Sequence, residues 1–562
     1  MTQDSDLLGW WDLAQDGRDR SGHGLHAVPK GDVAMGMVSG GGTERGAASF
    51  RRGGRLEVSP PAGLGDGDLT VAAWVNAAEN PTTVIGDVVS WFDPGSRHGF
   101  TLGFEHGAPC GSHGNDRTAW FGIDAATTPR ITDYGRPGDA TVMICSLAVF
   151  EGDLYAATWE GGPAPRGRVH RLRAGEWQDC GSPWNANAVT RLAVHDGALH
   201  AGVSRLRGGG SGLEDSANLN PGGRILRYEG GDRWTDLGQL DGADSVAALV
   251  PFGGSLYAAP MYSEGLYRLD APGTWTWCGS PGRRLLALGA YDGALYGAGN
   301  DHAHVDSAIA LTKAGVVVPA RSTAGGGGIF RYDGGERWTS CGLQPDTTQV
   351  YSIETYGDQM HIGTWPTGLV YRARNLAAGD AASWEPIGRL GDETEIMNLG
   401  TYNGMLYGGT LPHAQIYRYD GDNDWAPIAT LDETPDVLYR RAASLVVFGG
   451  ELFVGTLPSA RVHAMRAGAV ASNDRSLGAG WHHLAGVRRG GEVSLYVDGA
   501  LVASQGGADL AGDAGIQGSI APRTGVPLVI GGGPRAGFEG AVADVRLWAR
   551  ALDDGEVNGL AG

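Results

Sequence analysis

The sequence predicts an all-β protein, a seven-bladed β-propeller inserted into a second β-domain, and three observations carry that prediction. One unit recurs seven times between roughly Ala140 and Arg466, and its plainest copy, IMNLGTYNGMLYGGTLPHAQIYRYDGDNDWAPIATL, runs from Ile396 to Leu431. It reads as an apolar strand, a tight NG or DG turn, a second strand, a short loop, a third strand and a fourth strand carrying Trp; a recurring four-strand meander is the signature of a propeller. Composition agrees, because 96 glycines, 17 tryptophans and 18 tyrosines suit many tight turns and short aromatic strands rather than helices. A chain of 562 residues also exceeds what one domain of ordinary size accounts for.

The first hundred residues do not repeat. They hold LLGWWDLAQDGRDRSGHGLHAV, with a D-x-S-G-x-G turn at Asp19, Ser21, Gly22 and Gly24, then an apolar strand from Leu69 to Val75 ending in AAWV. Near the other end stand WHHLAGVRRGGEVSLYVDGALVAS from Trp481 and FEGAVADVRLWARALDDGEV from Phe538. Together these motifs resemble the LamG-like jelly rolls, the concanavalin A-like β-sandwiches related to laminin G and pentraxins. The resemblance implies one jelly roll in two pieces, residues 1–127 and 472–562, interrupted by a propeller over 128–471. An insert of this size is tolerated where its ends lie close together, which a closed ring provides.

Within the propeller each fourth strand has the form W-x-x-x-G, as in EWQDCGSP and RWTDLGQL. The seventh repeat lacks one, and RITDYGRPGD, Arg130 to Asp139, has that shape with Ile131 in the Trp slot. The expectation is that this segment completes the last blade, so that no free sheet edge remains. Cys180, Cys278 and Cys341 occupy matching slots of different repeats, too far apart to pair, and read as small buried apolar residues.

A net charge of −20 argues against sequence-independent binding to nucleic acid or to an anionic membrane. No apolar run is long enough for a membrane span, and MTQDSDLLGWW is not a secretion signal, so the chain reads as cytoplasmic unless a leader has been removed. Oligomeric state is not legible. The motifs of serine hydrolases, Walker nucleotide sites and zincins are absent, which removes those mechanisms, and without a sialidase box the sialidase reading loses its main support.

The turns between first and second strands are uniformly short, whereas loops on the opposite face vary, the longest being 205–223 and 301–328. Variable loops on a rigid face are where binding residues concentrate. The repeat filters the histidines: His195, His200, His361, His170 and His463 share slots with aromatic residues and read as packing. His413 and His302 remain as catalytic candidates, with imidazoles suited to acid–base work near neutral pH. Tyr262 is the third, as a proton donor. Trp159 and Trp365 offer faces for sugar stacking, and Arg205, Arg284 and Arg441 offer forks for a carboxylate or sulfate.

For metals, His302, His304 and Asp301 form an H-x-H pair with an acid that suits a transition metal at the funnel. A second cluster, Glu105, His106, Cys110, His113 and Asp116, has spacing compatible with zinc, the plain alternative being a polar loop. The jelly roll resemblance implies a structural calcium ion with Asp19 as a ligand.

The functional expectation is a carbohydrate-active enzyme, a polysaccharide lyase or glycoside hydrolase, working on a poly- or oligosaccharide at the funnel beside a lectin-like jelly roll. The alternative is a carbohydrate-binding or protein-interaction scaffold without catalysis. Asp392, Glu393, Glu395, Asp432, Glu433 and Asp436 lie on the right loops, but no catalytic pair of carboxylates stands out among them.

Overall fold

The computed structural model describes residues 6–105, 117–300, 327–343, 347–506, 516 and 518–562. Each repeat folds as an antiparallel four-strand meander, joined at its first hairpin by a two-residue turn. At Asn403–Gly404 both residues have positive φ, 45° and 79°, the geometry that matches strand twist and that Asn-Gly adopts with least strain. Repeats three to seven form five separate four-stranded sheets, whereas repeats one and two are hydrogen-bonded into one eight-stranded sheet through the single Trp159–Ala188 pairing. The expectation of seven separate blades is corrected accordingly: the end of one second strand runs close enough to the next first strand to pair with it. The seventh sheet is completed by Arg130–Asp133 beside Val462–Arg466, so the ring is closed by its two chain ends.

The recurrent Trp explains how neighbouring sheets are fastened. Its indole Nε1 donates to the carbonyl four residues into the preceding fourth strand: Trp234 to Cys180 at 2.9 Å, Trp338 to Cys278 at 3.0 Å, Trp384 to Cys341 at 2.9 Å. Trp177 of repeat one uses Tyr134 of the closing segment in the same way, at 2.9 Å. The cysteines of this slot are buried and unpaired, their backbone being the part the motif uses.

Strands from both ends of the chain share one thirteen-stranded sheet. Leu69–Ala77 lies between His482–Arg489 and Gly540–Trp548, and Thr118–Ala125 pairs with Ala469–Ser476. The sheet curls on itself, and its end strands meet where Val470 N donates to Gln505 Oε1 at 2.7 Å. The enclosed core includes Trp11, Phe50, Phe100, Phe121 and Val542. Buried among these strands, Arg535 joins the two pieces by ion pairs to Asp87 at 2.7 Å and Glu105 at 2.9 Å, with its guanidinium over the Trp120 ring. Glu105 is therefore occupied, while His106, Cys110, His113 and Asp116 lie outside the described residues.

This sandwich covers the short-turn face of the propeller. Gly152 N donates to Asp474 O, Gly357 N to Pro534 O, Gly537 N to Asp358 Oδ1, and Asn403 Nδ2 to both Ile123 O and Ala467 O. The variable-loop face is left on the far side. Among the described residues no helix is long and apolar enough to cross a membrane.

Candidate functional site on the open face

Four side chains open the first strands of repeats four to seven at equivalent positions beside the central axis: Arg284, Gln349, Glu395 and Arg441. Every first strand begins on this face, so the repeat itself brings them together. Arg284 Nε donates to Asn300 Oδ1 at 2.9 Å, and Asn300 Nδ2 donates to Gln349 Oε1 at 2.8 Å, a buried chain of three polar groups. Glu395 is 4 % exposed, and its Oε1 has no hydrogen-bond partner among the described residues. Burial pushes its carboxyl up to about 7, against the opposing pull of the Arg441 charge and the Tyr351 hydroxyl. The hydroxyls of Thr347, Thr348 and Ser352 are likewise buried, without hydrogen-bond partners among the described residues. Buried polar groups without partners are costly, and a water, an ion or a ligand commonly supplies the missing partner.

Beside this cluster, on the rim of repeat six, His413 Nδ1 meets Glu393 Oε1 at 3.0 Å, and the His413 backbone N–H donates to Glu393 Oε2 at 3.2 Å. Glu393 is fully buried, and desolvation holds its carboxyl above the ordinary range despite the His413 contacts. The His413 side chain is 51 % exposed. A carboxylate on Nδ1 fixes the proton there and leaves Nε2 as the acceptor facing solvent. His413 forms a parallel bridge with Arg440, whose N–H donates to Pro412 O at 2.9 Å, and Arg441 follows directly.

The other candidates fall into distinct places. Tyr262 lies on repeat three, three repeats around the ring from His413; its hydroxyl accepts from Arg207 N at 3.0 Å and its ring lies under the Arg207 guanidinium at 4.1 Å. Burial raises its pKa, so it stays protonated at neutral pH. Arg205 is held through its backbone, to Asp244 O and from Ser245 Oγ. Trp159 is 2 % exposed, packed against Met143, Cys145, Ala188 and Leu457, and presents no face to a sugar; the extended pairing with Ala188 carries it between repeats. Trp365 is 9 % exposed, at the rim. His302, His304 and Asp301 lie outside the described residues. Among the described residues no group of three or more His, Cys, Asp or Glu side chains is placed to hold a metal ion. Asp19 accepts from Trp10 N, Ser21 N, Ser21 Oγ and Leu25 N, which closes its turn from within.

Sequence reasoning missed Tyr351, Asn300 and Ser211, and noted Glu393 and Glu395 only as loop carboxylates. Glu395 carried a usable signal, since its slot also holds Arg284, Gln349 and Arg441. A cleft of about 850 Å³ also runs between sandwich and propeller, lined by Arg51, Asp292, Asp358 and Glu539 among others, with no histidine among the described residues that line it.

Residues 455–558 match the Laminin G 3 family model, described as the concanavalin A-like lectin/glucanases superfamily. The match starts in the last propeller repeat and spans the second piece of the sandwich, whose sheet the first piece completes. No curated protein matches the chain. Solved structures similar to it include a chain of the mitotic checkpoint complex, at 12% identity over 61% of this chain and 92% of that one, TM-score 0.40. A putative gluconolactonase is similar at 13% identity over 48% and 84%, TM-score 0.31. A gluconolactonase from Xanthomonas campestris is similar at 14% identity over 61% and 96%, TM-score 0.32.

Proposed function

We propose that the protein is a carbohydrate-active enzyme whose reaction takes place on the open propeller face, with the lectin-like sandwich as its scaffold, and that the reaction is β-elimination on an anionic glycan. The observation that carries this reading is the His413–Glu393 dyad on the same rim as Arg440 and Arg441. In such a reaction the guanidinium of Arg441 holds the sugar carboxylate and stabilises the charge that develops beside it. Nε2 of His413 takes the C5 proton, the C4–C5 double bond forms, and the C4–O bond breaks. The leaving oxygen receives a proton from Tyr351, the hydroxyl bound to Glu395, in the role expected of Tyr262.

Glycoside hydrolysis is the second reading, favoured by one observation: a buried carboxyl raised to about 7 is suited to protonate a glycosidic oxygen at neutral pH. Incubation with uronate polymers, followed by absorbance of the unsaturated product and by reducing-end release, separates the two. Elimination gives both signals and hydrolysis only the second. Neither signal from any polymer would leave the binding-scaffold alternative in place.

A further inference from the structure

The seam between sandwich and propeller, on the side away from the variable loops, holds the cleft of about 850 Å³, a volume ordinary for a small-molecule site. Contacts between the two domains flank it: Gly253 N of repeat three donates to Pro81 O at 3.4 Å, and Gly537 N donates to Asp358 Oδ1 at 2.6 Å. Its charge is lopsided. Glu79 and Glu539 from the sandwich, with Asp292 and Asp358 from the turns of repeats four and five, face Arg51 among the described charged side chains of the lining. Two polar atoms there are unsatisfied. Thr355 Oγ1, on a residue 3 % exposed, and Glu539 Oε2 have no hydrogen-bond partner among the described residues. Loss of hydration holds the Glu539 carboxyl above its ordinary range, although the Thr83 and Thr82 backbone N–H groups and the Arg51 charge pull the other way.

A partly desolvated cleft lined by carboxylates calls for positive charge from a ligand. A single metal ion does not fit, since among the described residues no three acids are placed to hold one. The acids are spread along walls from both domains, which suits a ligand whose charge is also spread. Ser49, Asn76 and Thr82 add hydroxyls and an amide to the lining, donors and acceptors that match hydroxyl groups and have no use for a plain alkylamine. We infer that the cleft binds an amino sugar or its short oligomer, with ammonium groups on the carboxylates and sugar hydroxyls on the neutral polar groups. This site is separate from the one proposed on the open face, takes ligands of the opposite charge and does not rest on the reading of that face. Because its walls belong to different domains, the bound sugar also ties sandwich to propeller.

The test titrates the full chain by calorimetry with the glucosamine trimer, its N-acetylated form, spermidine and digalacturonate. The glucosamine trimer should bind, and the other three should bind at least about tenfold more weakly. Asp292→Asn and Glu539→Gln each remove one charge at nearly constant shape and should weaken trimer binding at least about tenfold, while Thr355→Val should weaken it roughly fivefold without lowering the melting temperature of the free protein. Asp292 lies on an exposed turn, so its variant decides alone if Glu539→Gln does not fold. No binding of the trimer by the wild-type protein, or unchanged affinity in the charge variants, would overturn the inference. Equal binding of spermidine would overturn the sugar assignment, and equal binding of the N-acetylated trimer or of digalacturonate would overturn the charge argument. Turnover of uronate polymers is measured separately, so either this inference or the reading of the open face can fail alone.

Discussion

Replacing Glu395 with Gln should change how stability depends on pH, in a direction set by burial. The side chain is 4 % exposed, and loss of hydration outweighs the Arg441 charge and the Tyr351 hydroxyl, raising the carboxyl to about 7. In the unfolded chain the same group titrates near its ordinary value, about 4.3. The folded state therefore binds this proton more tightly, and the stability it contributes is fully present below about pH 4.3 and is lost as pH rises through about 7. At about 1.4 kcal/mol per pH unit, the whole loss is about 4 kcal/mol, of which about 3 kcal/mol falls between pH 5 and pH 8. Gln keeps the size and polarity of the side chain and carries no charge to bury. Unfolding of wild type and variant by urea, followed through tryptophan fluorescence at about pH 5 and about pH 8, measures the difference. The variant should gain about 3 kcal/mol on the wild type between the two conditions. A constant offset at both pH values would refute the claim that Glu395 is held in a dry, proton-retaining site.

His361→Ala should lower stability by about 1 to 3 kcal/mol in the same urea assay, since the ring is 2 % exposed and packs beside Tyr356; an unchanged midpoint would contradict its packing role. Arg535→Met strands Asp87 and Glu105 in the sandwich and should cost about 3 to 5 kcal/mol, and a cost below about 1 kcal/mol would show that the buried ion pairs do not join the two pieces as argued. The proposed calcium ion at the Asp19 turn requires a chelator to lower the melting temperature. An unchanged melting temperature would retire it, leaving the four donors on that carboxylate as the reason for the residue.

Much of the fold was legible because the repeat exposes it. The Trp of each fourth strand and the slot holding Cys180, Leu237 and Cys278 are the two ends of one hydrogen bond between neighbouring sheets, so both recur. The closing segment kept the same form, with Tyr134 supplying the carbonyl. The fusion of the first two repeats was not legible, since it depends on one extended pairing at Trp159 rather than on a motif. At the candidate site, Arg284 and Arg441 were legible as guanidiniums on the variable-loop face, and His413 as a histidine that shares no slot with the packing aromatics. The Glu395–Tyr351 contact joins first strands of different repeats, and the Ser211–Arg441 bond spans 230 residues of chain, so spacing alone reveals neither. Trp159 shows the reverse error: a large aromatic at a rim looks available until packing from the next repeat covers it.

The proposed elimination depends most directly on His413. Turnover of uronate polymers by His413→Ala, measured as absorbance of the unsaturated product beside a melting curve, tests it in one comparison. The half-exposed imidazole contributes little packing, so loss of turnover at a nearly unchanged melting temperature is the predicted result. Full activity in the variant would contradict the proposed site and the elimination chemistry together.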